Sequence, residues 1–592
     1  MFPEKMNKSL KNGSSKQRKR PRVALIGCGA SGMCFLHALA TRNAREGDDV
    51  VLPYVTCFEQ ASEEGGCWRH VPNAEEREQP HNVACFLPKA ELLDYFTKRT
   101  LHVDPDLLDG DKKHELHEIR YGTVVTSVSF DDETGLFSVA TAPFDPLAEK
   151  KHTFEPTLVE EYDYCIWAAG IRGKPRIPRA LLSLLKSGQS LVDKDVQDTP
   201  FQGTIMHSIH AASNKLEPAV AGKRVVLIGD SDSAVDLSLH AVKLGASKVI
   251  VLSRSGYGDC FYMGSWPRRK DRATGTTESI VEVHVALPYR IVDEGKSIEC
   301  ARVVWNPEEC IYEMNEEEKT ITIENVDTII FCTGFVPNTS FLSEDLQLHS
   351  EDLFSWVWSA PQDFKMRENP LTPDMGEVKP SADLSFSGNL FPGVYRSVLI
   401  SNPQMMYIMD INSEYPLLHL EAEAWTCLAF CTGDLQLPPK EVIDEEMKTQ
   451  MLEEMNIAYL RWSVDRNYFD AMFDLGDEHW SDNYDDPRTI QMNKEYLGYY
   501  VGLIARNLRD SNYPVDFGTF SNLSELGKKL VQLGFHNLMF RHLLDPESDE
   551  STWRTYRDAN PHPLRSIYTD QESVALPKPW LELKDGKDVV DR

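Results

Sequence analysis

Gly27, Gly29 and Gly32 follow the apolar run Val23 to Ile26 at the spacing G-x-G-x-x-G. Behind a buried strand, that spacing serves the binding of a pyrophosphate. Gly27 permits a tight turn, Gly29 lets a phosphate approach bare backbone, and Gly32 brings the next helix close to the strand. The phosphates would then sit at the positive end of that helix. The spacing predicts a helix over Met33 to Thr41 and a second strand, Tyr54 to Phe58, ending in Glu59. An acid at that strand tip can accept from a ribose hydroxyl. A strand, turn and helix that bind nothing can share the glycines, but not ordinarily the acid as well. The polar stretch Arg42 to Asp49 reads as an insertion in the connection.

A second, degenerate turn follows the strand Arg224 to Ile228. Gly229 opens it, with Ser231 and Ala234 in the second and third glycine places. Small side chains still permit close approach, and the hydroxyls of Ser231 and Ser233 can donate to phosphate. The next strand, Lys248 to Ser253, ends in Arg254 rather than an acid. A guanidinium there pairs with a 2′-phosphate, so the second nucleotide reads as NADPH rather than NADH. The other reading of Arg254 is a surface arginine at a strand end.

The remaining elements must position these two turns. Pro88 opens a predicted amphipathic helix, Lys89 to Arg99, and alternation over Val124 to Phe130 and Leu136 to Ala140 predicts a β-hairpin. A strand over Tyr162 to Ala168 closes the first region, and the proline-bearing stretch Lys174 to Pro200 reads as a crossover. Short strands are expected from Ser279 to Ile330. Thr333 and Gly334 then echo Ala169 and Gly170, as though the chain left one domain and re-entered it. Met406 to Ile411 reads as a strand and Glu421 to Cys431 as a helix. Helical segments with acidic connections, including a solvated loop over Asp474 to Asp486, are expected beyond Lys440.

The 592 residues allow two or three domains, and a formal net charge of -30 argues against nucleic acid or an anionic membrane as the main partner. No apolar run has the length of a membrane span. The 12 cysteines include no C-x-x-C pair, which argues against a zinc site or a disulfide framework and fits a cytoplasmic, reducing setting. The basic segment Lys16 to Arg20 reads as part of a disordered tail rather than an address signal.

Two nucleotide turns, GGCW after the first, FQGTIMH before the second, and CTGF at re-entry together resemble the flavin-containing monooxygenases. Phe201, Gly203 and His207 match the family's F-x-G-x-x-x-H pattern, while Ala211 departs from the aromatic that follows it. GDSDSAVDL, EAEAW and WRTYRD look closest to the bacterial trimethylamine monooxygenase subgroup. The resemblance implies an α/β fold with two Rossmann-like domains, the NADPH domain inserted in the FAD domain, and a mainly helical C-terminal region. The corresponding limits are a tail at 1–21, the FAD domain at 22–173 and 335–445, the NADPH domain at 174–334, and the C-terminal region at 446–592.

By the same resemblance, Ser31 would lie on the FAD pyrophosphate, Glu59 on the adenosine ribose, Cys67 and Trp68 near the flavin, and Val125 beside the adenine. Ser233 would face the NADPH phosphates, with Arg254 and Ser255 on the 2′-phosphate. The implied reaction oxygenates a soft amine or sulfide with O2 through a flavin C4a-hydroperoxide, and the implied assembly is a homodimer. Relatives carry a longer segment after GG-x-W, with an asparagine beside the flavin. Here Arg69 to Cys85 spans that interval, and Asn82 is the candidate for that asparagine. The shortened segment leaves open an uncoupled NADPH oxidase or reductase, and the long acidic C-terminal region leaves open a non-catalytic flavoprotein scaffold that binds a partner.

Overall fold

The computed structural model describes residues 20–46, 50–66, 116–145, 154–170, 173–191, 196–210, 215–230, 232–253, 268–270, 277–279, 281–306, 311–314, 320–348, 393–409, 416–450, 502–513 and 589–591. Strand β1 (Arg22–Ile26) turns into helix α1 (Ala30–Glu46), followed by β2 (Tyr54–Phe58) and β3 (His117–Arg120). Next come β4 (Thr123–Asp131), β5 (Leu136–Pro143), β6 (Leu158–Tyr162) and β7 (Tyr164–Trp167). The middle of the chain supplies β8 (Lys174–Pro175), α2 (Arg179–Ser187), β9 (Thr204–His207), α3 (Leu216–Val220), β10 (Arg224–Ile228), α4 (Asp232–Lys243) and β11 (Lys248–Ser253). Then follow β12 (Arg268–Lys270), β13 (Thr277–Ser279), β14 (Val281–Val292), β15 (Ser297–Asn306), β16 (Ile311–Met314), β17 (Ile321–Ile323) and β18 (Thr328–Phe331). The last part holds β19 (Phe335–Val336), β20 (Val394–Tyr395), β21 (Val398–Leu399), β22 (Met405–Tyr407), α5 (Pro416–Thr432) and β23 (Val589–Asp591).

The fold is α/β, with two Rossmann-like sheets. In the first the order is β20-β21-β22-β7-β1-β2-β3, and the run from β22 to β3 is parallel. In the second, β9, β18, β10, β11 and β14 run parallel, and β15 and β16 extend the sheet antiparallel. Every strand of the second sheet falls in sequence between β7 and β22 of the first. Where the chain leaves and returns, β8 pairs antiparallel with β19, and Arg176 donates its amide to Gly334 O at 3.0 Å.

The central strands are buried on both faces, as a parallel sheet requires, and this is why Val23 to Ile26 and Val225 to Ile228 read as unbroken apolar runs. Helix α1 packs Met33, Phe35, Leu36 and Leu39 against the first sheet and α5, in one core with Trp425 and Leu428. The antiparallel sheet β4-β5-β6 closes the other face through Val125, Val128, Phe137 and Tyr162.

Several expectations are corrected. Helix α1 runs on to Glu46, so much of the polar stretch after Thr41 is helical rather than an inserted loop. Phe35, Leu39 and Arg42 follow each other at helical spacing, which carries Arg42 into the core. There its guanidinium pairs with Asp434 and donates to Thr432 Oγ1 at 2.9 Å. Tyr162 ends β6, and β7 starts only at Tyr164, because the intervening Asp163 carboxylate accepts the Arg22 amide at 2.7 Å.

The crossover after Lys174 contains α2, whose Leu181, Leu184 and Leu185 are buried and whose Gly188 cap adopts φ 75°. The strands expected to be short include β14 and β15, of 12 and 10 residues, joined through Asp293, Glu294 and Gly295 at positive φ. The helices expected after Lys440 include residues 440–450 and 502–510. The expected basic tail, the helix Lys89 to Arg99, and the loop Asp474 to Asp486 lie outside the described residues.

Two candidate nucleotide cradles

The first cradle is built where β1 ends. Gly27 adopts φ 102° and donates its amide to Phe58 O at 2.9 Å, and a Cβ there would lie 2.6 Å from Ala168 O. A Cβ on Gly32 would collide with the Gly27 carbonyl, so α1 reaches the strand only without a side chain at that position. Among the described residues, a Cβ on Gly29 would meet Gly66 alone, 3.5 Å away, at ordinary contact distance. Such a cradle, one that side chains would fill, fits a dinucleotide pyrophosphate. Ser31 is buried in the first turn of α1, beside the helix amides that an anion would use.

Glu59 lies one residue beyond β2 and is buried. One carboxylate oxygen accepts Cys28 N and the other Ala61 N, both at 2.8 Å, so the acid is held against the phosphate turn. Behind it, Tyr121 OH donates to Glu64 at 2.6 Å, and burial and this carboxylate push the phenol up. Val125 is buried in the apolar cluster with Ile26 and Phe58.

The second cradle repeats the first. Gly229 takes φ 107° and donates to Leu252 O at 3.0 Å, and a Cβ there would collide with Cys332 O, the counterpart of Ala168 O. Ala234 is fully buried in the third glycine place, and Ser233 is half-buried near the start of α4. The paired registers, Ile26 with Phe58 and Ile228 with Leu252, make Glu59 and Ser253 equivalent. This corrects the assignment of Arg254 to the place of the strand-tip acid. Ser253 stands there, fully buried, and its hydroxyl donates to the Asp230 carboxylate. Sequence reasoning passed over Asp230; counting both strands from their turn glycines is the signal that finds it.

The motif residues Phe201, Gly203 and His207 come together as a support for the connection. A Cβ on Gly203 would collide with the Asp327 carbonyl and lie 2.5 Å from the Phe201 ring, so the ring packs there only against a glycine. His207 accepts the Ile209 amide on Nδ1 at 3.1 Å, which leaves Nε2 to donate to Gly334 O at 3.0 Å, and its ring packs edge-on against Phe335. Burial holds this imidazole below the ordinary histidine value. Cys67, Trp68, Asn82, Ser231, Arg254 and Ser255 lie outside the described residues.

Among the described residues the cysteines are all buried. Burial pushes Cys165, Cys332 and Cys431 up, and a hydrogen bond to Cys28 together with burial does the same for Cys57. None of these four is an activated thiolate. No group of His, Cys, Asp and Glu among the described residues could hold a metal ion, and no helix among them is long and apolar enough to cross a membrane.

No family model matches the chain. It is 23% identical over 474 residues to the trimethylamine monooxygenase of Roseovarius nubinhibens, covering 75% of this chain and 83% of that protein. It is also 23% identical over 497 residues to the trimethylamine monooxygenase of Pelagibacter ubique, covering 77% and 86%. The crystal structure of Tmm from Pelagibacter sp. strain HTCC7211 superposes with a TM-score of 0.47 at 17% identity, covering 83% of this chain and 93% of that one.

Proposed function

We propose that this chain is an FAD- and NADPH-dependent monooxygenase that transfers one oxygen atom of O2 to a soft nitrogen or sulfur nucleophile, a small amine or sulfide. The observation that carries the reading is the pair of equivalent cradles, each with a turn glycine at positive φ seated against a neighbouring strand's carbonyl. The similarity to trimethylamine monooxygenases over about three quarters of the chain supports the reaction class.

In this reading Gly27, Gly29, Ser31 and Gly32 receive the FAD pyrophosphate, Glu59 accepts from its adenosine ribose, and Val125 borders the adenine. Gly229 and Ser233, with Ser231, Arg254 and Ser255, receive NADPH. Cys67, Trp68 and Asn82 complete the flavin surroundings. The FAD domain takes 22–173 and 335–445, the NADPH domain 174–334, and 446–592 forms the C-terminal region of a cytoplasmic homodimer.

When bound, the nicotinamide supplies a hydride and the flavin supplies the activation of O2. The chain's own part is to bind and orient both cofactors and to exclude water. The turns offer backbone N–H groups at helix N-termini to the phosphates, which orients both dinucleotides without any side-chain nucleophile. The raised, buried thiols agree with that.

The test is to purify the chain with excess FAD, look for a flavin band at about 450 nm, and follow NADPH with trimethylamine or a dialkyl sulfide. Oxygenated product in step with NADPH supports the reading. NADPH consumed with stoichiometric hydrogen peroxide and no product would identify an uncoupled oxidase, and a colourless chain would end the flavoprotein reading.

A further inference from the structure

The two cradles share a backbone but place their acid differently. In the first, the carboxylate belongs to Glu59 at the strand tip and reaches the amide of Cys28, the residue after the turn glycine. In the second, the carboxylate belongs to Asp230, the residue after the turn glycine, and reaches the Ser253 hydroxyl at the strand tip. Both arrangements put a carboxylate between the same two backbone positions. That interval is where a Rossmann cradle reads the adenosine ribose, through an acid that accepts from its hydroxyls.

We propose that Asp230, held by Ser253, is the ribose-reading acid of the second cradle and sets its discrimination between dinucleotides with and without a 2′-phosphate. The inference rests on the second cradle's binding a nicotinamide dinucleotide, as argued above. A carboxylate in this position accepts from a free 2′-hydroxyl and repels a 2′-phosphate, which carries nearly two negative charges near neutral pH. The cationic side chain of Arg254, one residue beyond Ser253 in sequence, favours that phosphate. By accepting the free hydroxyl, Asp230 lets the native chain take NADH as well as NADPH.

The experiment titrates NAD⁺ and NADP⁺ calorimetrically into the full chain loaded with FAD, and into its Asp230→Asn and Ser253→Ala variants. Asparagine keeps the size of the side chain and removes the charge. The native chain should bind both ligands. Asp230→Asn should tighten NADP⁺ and weaken NAD⁺, moving the ratio of dissociation constants roughly tenfold or more. Ser253→Ala, which keeps the charge and removes the hydroxyl that donates to it, should move the ratio the same way by less.

A ratio unchanged in Asp230→Asn while both ligands still bind would overturn the specificity role and leave the proposed function standing. Equal loss of both ligands would make Asp230 a support of the turn and overturn the role as well. A native chain that binds neither ligand would remove the second cradle itself, and with it the reading on which this inference rests.

Discussion

Glu59 divides its carboxylate between two backbone amides, yet each oxygen retains a lone pair, so a ribose hydroxyl can add a third bond without displacing either. Glu59→Gln replaces one of those acceptor oxygens with a donor that faces an N–H. It should weaken FAD binding roughly tenfold, read by flavin fluorescence on dilution. Unchanged affinity would remove Glu59 from the ribose. His207 has a different task, because both ring nitrogens are engaged with backbone and the neutral ring is the form that fits. Its folded pKa lies below the ordinary 6.5, so the unfolded chain binds the extra proton first. The contribution of His207 is therefore present above that ordinary value and is lost as pH falls toward the lowered one. Urea midpoints at pH 7.5 and 5.5 should fall less for His207→Gln than for the native chain; parallel drops would show that some other group sets the slope.

At the scale of elements, α1 depends on a missing side chain at one end and a buried cation at the other. Gly32→Ala drives a methyl into the Gly27 carbonyl, which should cost about 1–3 kcal/mol and release the flavin, measured by denaturant melts and absorbance. A variant that keeps its colour and midpoint would show that the turn can yield. Arg42→Ala removes the cation that pairs with Asp434 beside the core, leaving that carboxylate the Thr432 hydroxyl at 2.6 Å. Because Asp434 is 29% exposed, the loss should be about 2–3 kcal/mol, short of the full cost of breaking a buried pair, and Arg42→Met should recover part of it. These two residues also mark what the sequence could show. β2, β10 and β11 were legible to the residue, because a strand buried on both faces is an apolar run that stops at a turn or a charge. Arg42 hid the last five residues of α1, because its partners lie some 390 positions away and no local pattern announces them. Asp230 stayed hidden for a related reason: its meaning comes from the register between two strands, which a linear reading supplies only after both turns are aligned.

For the whole molecule, the order of strands decides which parts can fold without the others. The first sheet seats β22 beside β7, with Ile408 donating its amide to Trp167 O at 2.9 Å, so it uses chain from both sides of the second sheet. Among the described residues, its apolar clusters follow the same division, joining residues 23–168 to residues 341–513. Among the described residues, the two clusters of the second sheet are drawn from residues 177–332. A fragment of residues 174–334 therefore has its own cores and its parallel sheet intact, and should be soluble and melt cooperatively. A chain ending at Gly334 keeps both phosphate turns but loses β20 to β22 and α5, which leaves Met33, Leu36 and Leu39 of α1 facing water. It should aggregate and hold no flavin, although every residue of the first turn and Glu59 is present. Expressing the two fragments side by side checks this by sedimentation and colour. A soluble yellow chain ending at Gly334 would show that the first cradle needs only its local strand, turn and helix, and that the returning strands do not support it.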